Sequence, residues 1–364
     1  MAGSGALPTL TRAVADALAG GPGVGVLPAG PRAWQQSIEA ALHPQRRVAD
    51  GLVVPTSGST GAPVGVLLSA SAVRWSARAV VARLGGPGAW LLALPPTHVA
   101  GLMVLARALV CDAPVHEVGG SFTDTVAAMP TGRRYTALVP TQVRRLLDDE
   151  SDALAAFDAV LVGGAGLDAR LLARAQAAGV RLVESYGMTE TCGGCVHDGL
   201  ALPGVHVRVS DVGAIALSGP MLADGYRRGH RDEPLTVDGW FATHDVGEWS
   251  EGRLRVLGRD DDVVTSGGVS VPLPAVDALL AEHPDLADAV AVGLADPEWG
   301  TRVTAVAVPR PGVTPTLAGL RAFMAERAEP AYVPRDLVLV DDLRRPAPGK
   351  VDRAAIVARL GWET

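Results

Sequence analysis

The sequence predicts an α/β unit built on a parallel sheet, followed by a smaller α+β unit of about a hundred residues. Three observations point there. Short apolar runs alternate with Ala/Leu/Arg-rich helical stretches through roughly the first 200 residues. After about Val205 the texture changes to short strands set between Gly and Asp turns. From about Asp262 helices and strands mix again over a shorter span.

Taken in order, Leu52–Pro55 reads as a strand that runs into a Gly/Ser loop. Trp90–Leu94, Thr136–Val139, Ala159–Val162 and Arg181–Glu184 read as buried strands. Asp168–Ala178 has helical spacing and stops at Gly179. This alternation implies βαβ units, with ligands bound at the C-terminal ends of the strands. Gly213–Ser218 and Arg253–Gly258 read as antiparallel strands. The last unit reads as helix Pro274–Glu282, strands Ala287–Leu294 and Arg302–Val308, helix Thr316–Glu326 and strand Asp336–Val340. Between the two units, Arg259 to Asp262 is polar, acidic and without apolar periodicity. It reads as a linker and divides the chain into 1–260 and 261–364.

The composition narrows the function classes. A 48% hydrophobic, 20% charged chain has ample core and is neither disordered nor fibrous. The net charge of −7, with no basic run interleaved with aromatics, argues against nucleic-acid binding. Arg133-Arg134, Arg144-Arg145 and Arg344-Arg345 are short pairs that fit solvated faces or anion contacts. No run approaches the roughly 20 apolar residues of a membrane helix, and Met1 to Gly30 lacks a basic head before an apolar stretch. Three Cys, an odd number, fit a reducing cytoplasm better than a disulfide framework. Lys350 is the one lysine; the other 31 of the 32 basic residues are Arg. Arg cannot replace Lys where a compact, mobile charge must reach into a site, so Pro348-Gly349-Lys350 stands out.

The strongest local signal is Thr56-Ser57-Gly58-Ser59-Thr60-Gly61-Ala62-Pro63-Val64-Gly65-Val66. Glycines and small residues let backbone N–H groups converge, and hydroxyls add donors, which is the chemistry of a phosphate cradle. The Lys-Ser/Thr pair of the kinase-type loop is missing.

This segment resembles the phosphate loop of the adenylate-forming superfamily, which includes acyl-CoA synthetases, luciferases and peptide-synthetase adenylation domains. Further matches follow in the family's order from about residue 50 to 355. Tyr186-Gly187-Met188-Thr189-Glu190 is similar to the Y-G-x-T-E motif. The resemblance implies that Tyr186 and Gly187 flank the adenine, Thr189 bonds phosphate and Glu190 holds Mg²⁺. Thr243-His244-Asp245 stands where the family has T-G-D, which implies Asp245 on the ribose hydroxyls. Gly258-Arg259-Asp260-Asp261 resembles the interdomain hinge, with Arg259 on the ribose and Asp261 as pivot. Gly163-Gly164-Ala165 resembles the loop beside the adenine and acyl group, and Gly267-Gly268 the pair lining the coenzyme A channel. Pro348-Gly349-Lys350 matches the motif of the catalytic lysine.

The resemblance therefore implies a large adenylate-forming N-terminal domain and a small, mobile C-terminal α+β domain. It implies an ATP-dependent ligase that uses Mg²⁺, ATP, coenzyme A and a small carboxylic acid. The acid's carboxylate attacks the α-phosphorus of ATP, Lys350 bridges the carboxylate and α-phosphate, and rotation about Asp261 admits the thiol. The sequence leaves the oligomeric state open, a homodimer being one arrangement it admits.

The chain is short for the superfamily. That shortness resembles the actinobacterial o-succinylbenzoate–CoA ligases of menaquinone biosynthesis, as do Leu94-Pro95-Pro96-Thr97-His98-Val99-Ala100-Gly101-Leu102 and Glu190-Thr191-Cys192-Gly193-Gly194-Cys195-Val196. Their acid carries a second carboxylate, for which a cation is expected because an unpaired buried carboxylate is costly. Gln142 and Arg145, just past a strand end, are the candidates, with His98 near the ring; Arg145 reads equally well as a solvated helix residue. Cys192 and Cys195 lack a second ligand pair and read as packing residues rather than a zinc site. His43, His116, His197, His206, His230 and His283 show no ligand spacing and read as surface or core histidines; His244 is expected to point to solvent. Two alternatives remain: a different acyl- or aryl-activating enzyme, carrier-loading ones included, and a non-catalytic nucleotide-binding relative.

One departure generates a prediction. The family has Lys where this chain has Val64. A lysine there would contact the outer phosphates, so ATP or pyrophosphate should bind this chain more weakly than it binds a relative that keeps the lysine. Calorimetric titration with ATP checks this, and near-normal affinity would contradict it.

Overall fold

The computed structural model describes residues 6–27, 32–42, 51–57, 63–228, 231–343 and 352–361. Its centre is a seven-stranded sheet in the order Leu200–Ala201, Gly193–His197, Leu182–Met188, Ala159–Val162, Arg134–Leu138, Ala89–Leu92, Val115–Glu117. The last five of these strands are parallel, and the first two are antiparallel additions beyond Leu182–Met188.

The alternation of side chains along the parallel strands builds two cores, one on each face. Trp90, Leu92, Tyr135, Ala137, Ala159, Leu161 and Val183 face one way and pack under Val80, Val81, Leu84, Val104 and Leu105 of helices Ala70–Leu84 and Val99–Val110. Leu91, Leu138, Val160 and Val162 face the other way, against Val143, Leu146 and Leu171 of helices Pro140–Asp149 and Ala169–Ala177. Helix Val99–Val110 is buried over the whole run from Gly101 to Ala108. An all-round apolar helix is buried on all sides, and its one charged residue, Arg107, is carried in with it.

A second, five-stranded sheet runs Val24–Gly25, Leu52–Ser57, Pro63–Leu68, Gly225–Arg228, Arg231–Pro234. A third, antiparallel and four-stranded, runs His206–Val209, Ala214–Ser218, Phe241–Ser250, Arg253–Arg259. The expected strands and helices are present with shifted ends, and helices Ala6–Leu18 and Arg32–Leu42 add to them. Strand Leu182–Met188 continues past its expected end at Glu184, so the Tyr186-Gly187-Met188 triplet is itself strand.

The stretch read as a linker is compact. Strand Arg253–Arg259 runs directly into one 3₁₀ turn, Asp260–Asp262, and then into strand Val263–Ser266. The final sheet pairs Val269–Pro272, Val263–Ser266, Gly300–Pro309 and Leu286–Asp296, with Asp336–Leu339 parallel to Gly300–Pro309. One face packs on helices Leu273–Ala281 and Leu317–Ala325 through Val276, Leu280, Leu320 and Met324. The other packs Val290, Val292 and Val306 on Ile356 and Val357 of helix Arg353–Arg359. Arg353, at the start of that helix, pairs with Asp262 at 3.0 Å, with Asp277, and with the Ala291 carbonyl at 3.0 Å. The helix is thereby bonded to the 3₁₀ turn at the head of this unit.

Candidate active site

The C-terminal ends of the parallel strands form one rim, set by the register Leu138↔Val162 and Val162↔Glu184. In sheets of this kind that rim is where ligands bind. Past Leu92 the chain leads to His98, exposed at the N-cap of helix Val99–Val110. Past Leu138 lies Val139, the N-cap of helix Pro140–Asp149. Past Val162 come Gly163, Gly164 and Ala165. Gly164 has φ +84°, and a Cβ on Gly163 would sit 2.9 Å from the Ser185 carbonyl oxygen.

Strand Leu182–Met188 projects beyond the others and then reverses. Thr189–Thr191 forms a 3₁₀ turn, Cys192 takes φ 50°, and Gly193–His197 returns antiparallel. The Thr191 hydroxyl holds the turn: it accepts from the Met188 N–H at 2.9 Å and lies 2.7 Å from the Gly193 carbonyl. The Ser76 hydroxyl donates to the Cys192 carbonyl at 3.0 Å from the helix below. The reversal is tight enough to require glycine. A Cβ on Gly187 would lie 2.1 Å from the Gly193 carbonyl oxygen. Cys192 and Cys195 are free and buried, and burial pushes their thiols up, Cys195 to about 12, as inert packing groups require.

Two tyrosine–carboxylate pairs flank this reversal. The Tyr186 hydroxyl donates to Asp245 at 2.8 Å. Burial raises the pKa of both partners, so the tyrosine stays a donor; the Tyr186 hydrogen bond and the Arg259 charge pull Asp245 back down. Arg259 sits directly opposite Asp245 in the register of its sheet. Thr243 accepts from the Asp245 N–H at 3.1 Å and donates to the Ile215 carbonyl at 2.8 Å. His244 is exposed, 3.2 Å from Asp260.

On the other side, the Tyr226 hydroxyl donates to Glu190 at 2.9 Å. Tyr226 pairs with Val66, on the strand that follows the Gly/Ser loop, and the Ala223 N–H donates to the Glu190 carbonyl at 2.8 Å. The strands flanking the loop pair in register through Thr56↔Val64 and Ser57↔Pro63, with Val64 buried. Gly58, Ser59, Thr60 and Gly61 lie outside the described residues, as does Lys350. Thr189 is buried within the turn.

The other predicted residues have different surroundings. Gln142 accepts from the Val139 N–H at 3.0 Å and donates to the Ala93 carbonyl at 2.9 Å, so its amide braces two strand ends. Arg145 is exposed on the same helix. Gly267 and Gly268 make the two-residue turn between Val263–Ser266 and Val269–Pro272, both with positive φ, beside the Trp299 ring. Asp261 lies in the 3₁₀ turn Asp260–Asp262.

The structure also gathers residues that pattern reading missed. Arg107 is 3% exposed, its guanidinium 5.3 Å from the Trp90 ring centre and close to Gly193, where a Cβ would lie 3.7 Å from Nη2. Among the described residues its Nε has no hydrogen-bond partner, nor has Trp90 Nε1, nor either ring nitrogen of His197, which is 1% exposed. Burial lowers the Arg107 pKa to about 10, which still leaves it charged at neutral pH. Burial, then the charges of Arg107 and Arg83, lowers His197 to about 3, so its ring is neutral. The one signal in sequence was a lone charge inside an apolar helix, Val-Ala-Gly-Leu-Met-Val-Leu-Ala-Arg-Ala-Leu-Val.

Family models match in two places: AMP-binding enzyme over residues 33–226, and AMP-binding enzyme C-terminal domain over residues 275–350. The probable 2-succinylbenzoate–CoA ligase of Mycobacterium tuberculosis H37Rv is 43% identical over 343 residues, 90% of each chain. The indoleacetate–CoA ligase of Aromatoleum aromaticum is 31% identical over 346 residues, 85% of this chain and 67% of the relative. The o-succinylbenzoate CoA synthetase of Bacillus subtilis, solved with its acyl-adenylate intermediate, superposes with TM-score 0.75 at 27% identity, covering 84% of this chain and 68% of that one. Solved with ATP and magnesium, the same relative gives 0.73 at 26% identity over 83% and 69%.

Gly187→Ala should reduce turnover at least tenfold, because the new methyl group displaces either the Gly193 carbonyl or the Tyr186 ring. Steady-state pyrophosphate release together with a thermal melt checks it; full activity in a stably folded variant would contradict the close approach.

Proposed function

The chain belongs to the AMP-binding enzyme family, and on that footing we propose that it joins 2-succinylbenzoate to coenzyme A, forming 2-succinylbenzoyl-CoA, AMP and pyrophosphate through an acyl-adenylate, as a step of menaquinone biosynthesis. It is an ATP-dependent acid–thiol ligase, with a large N-terminal and a small C-terminal domain. The division is placed at 260/261, supported by the turn Asp260–Asp262 and by family matches that end at 226 and resume at 275. The reading places the enzyme in the cytoplasm, where ATP and coenzyme A are made; its three cysteines are free, and no described helix is long and apolar enough to cross a membrane.

The observation that carries the choice of acid is Arg107. A guanidinium taken out of water with no carboxylate partner among the described residues is a standing cost to the free protein. A diacid repays it by placing its non-reacting carboxylate there, with the directional fork that carboxylates favour. A monoacid such as indoleacetate has no group for that role. Arg107 thus takes the part expected of Arg145, which is exposed, while Gln142 and His98 are left with supporting places on the rim.

The nucleotide end is proposed as follows. Tyr186, with Gly187 beside it, flanks the adenine and, through its bond to Asp245, orients that carboxylate toward the ribose hydroxyls, with Arg259 adjacent. Gly163, Gly164 and Ala165 border the adenine and acyl group. Thr56 to Gly61 and Thr189 receive the phosphates. Among the described residues no group of three His, Cys, Asp or Glu could hold a metal alone. That fits Mg²⁺, which is usually held by one or two carboxylates plus substrate phosphates. Glu190 is the carboxylate in place, steadied by Tyr226, and the ion would supply charge neutralisation at the phosphates. Lys350 stabilises charge on the α-phosphate as the acid's carboxylate attacks. The small domain then turns about Asp261 and opens the channel beside Gly267 and Gly268 to the thiol.

Purified protein should release pyrophosphate with 2-succinylbenzoate, ATP and coenzyme A. Turnover only with other acids would sink the substrate assignment, and turnover with none would leave a nucleotide binder. Lys350→Ala should abolish adenylation while preformed acyl-adenylate still reacts with coenzyme A; overall ligation that survives would sink the role of Lys350.

Arg107→Met should raise the KM for 2-succinylbenzoate by about 10- to 100-fold, the scale of a lost charged hydrogen bond. The KM for ATP should not move. The free variant should melt no lower than the parent, since a buried unpaired charge has gone. A lower melting temperature with unchanged KM would assign Arg107 to the core instead.

A further inference from the structure

Of the six described residues with an unpartnered buried polar side-chain atom, three (Trp90, Arg107 and His197) converge on the Gly193–Gly194 segment or the ring beneath it. Trp90 and Arg107 are donors only. His197 differs. Its ring lies where a Cβ on Gly194 would come within 3.2 Å of Nε2, and that same Cβ would collide with the Ser185 hydroxyl at 1.9 Å. Ser185 is the residue directly opposite His197 across the two strands. Gly194 therefore leaves open the space into which both side chains lean, beside the strand end that carries Tyr186.

A neutral imidazole has one N–H donor and one acceptor nitrogen. Leaving both without partners in a buried setting is expensive, so a native structure that keeps such a ring implies something that bonds it in the working state. An apolar residue would fill the same place at lower cost. A second cation would also be poorly placed here, since Arg107 already supplies the charge.

We propose that His197 is a specificity-determining residue of the acid pocket, whose ring N–H bonds the part of the acid that does not react. Arg107 neutralises the second carboxylate, and His197 fixes its direction or that of the neighbouring carbonyl oxygen. This rests on the substrate reading given above. The chemical class it selects is an aromatic acid bearing a second acceptor group, against monoacids of the same size.

The test is the preference of the full-length enzyme for 2-succinylbenzoate over its two monocarboxylate analogues, 3-benzoylpropionate and 2-butyrylbenzoate, read as the ratio of kcat/KM values. His197→Leu keeps the bulk and removes both nitrogens. It should narrow the preference at least tenfold through the KM for the diacid, with the KM for ATP unchanged within twofold. His197→Asn, which restores a donor and an acceptor, should recover part of the preference. A folded His197→Leu enzyme with an unchanged preference overturns the proposal. If that variant does not fold, His197→Ala is judged by the same ratio. Packing alone would lower the melting temperature and raise the KM for ATP and all acids together, which also overturns it. Failure of the substrate reading is distinguishable, because the unmodified enzyme would then turn over none of the three acids.

Discussion

The reversal from strand Leu182–Met188 into strand Gly193–His197 brings the Gly187 and Gly193 backbones so close that no methyl group fits between them. That approach sets the positions of everything around it. On the outgoing strand Tyr186 is aimed at Asp245 of one sheet, and in the turn Glu190 is aimed at Tyr226 of another. On the returning strand Gly193 lies beside Arg107, and Gly194 clears space for Ser185 and His197. Three sheets thus meet here, the central one carrying Tyr186, another Asp245 and another Tyr226. The turn is held by buried hydrogen bonds from Thr191 and Ser76, whose low-dielectric setting strengthens them. A rigid turn suits a site whose catalysis is mostly positioning.

The electrostatics of the two ends of this site are opposite in kind. At the proposed nucleotide end each carboxylate has a hydroxyl donor already in place, so Asp245 and Glu190 are oriented before any ligand arrives. At the proposed acid end Trp90 and Arg107 present donors without acceptors, both ring nitrogens of His197 lack partners among the described residues, and the charge is positive. The other buried arginine among the described residues is neutralised: Arg227, 3% exposed in its side chain, is paired with Asp232 at 3.1 Å. Arg107 departs from that pattern, which is why it is proposed as a ligand position rather than a structural ion pair. On that proposal, stability is given up there in exchange for recognition.

The fold was legible because its signals are local. Apolar runs of strand length, the Gly179 stop and the two-domain change of texture each follow from periodicity or turn chemistry within a dozen residues. Tyr186, Asp245 and Arg259 sit in compact motifs that sequence reading picks out, and the structure brings the three together. Tyr226 was invisible because its partner Glu190 is 36 residues away and the pair exists only when two sheets meet. Arg145 attracted attention because it follows a strand end, but helix Pro140–Asp149 turns it outward. Arg107 is nine residues beyond His98, and only the burial of its whole helix brings it under the motif. His197 looked like any core histidine. What separates it is that both its ring nitrogens lack a bonding partner among the described residues, a property of packing that no spacing encodes.

The lone lysine has a mechanical counterpart in the structure. Lys350 precedes Arg353 by three residues, and Arg353 bonds Asp262, Asp277 and the Ala291 carbonyl together. Asp262 closes the 3₁₀ turn at which the small domain is proposed to pivot. A rotation there would carry helix Arg353–Arg359 along as part of the same body, since its first residue is tied to the turn and its Ile356 and Val357 to the sheet. The lysine's attachment point would then move with the domain rather than drift independently of it. The division of labour between the two cations follows from their chemistry. A guanidinium with a planar, multiply bonded fork is suited to fastening, and an ammonium on a flexible stem is suited to reaching. A chain that uses Arg almost everywhere has Lys at the position where, in the proposed mechanism, the charge must travel.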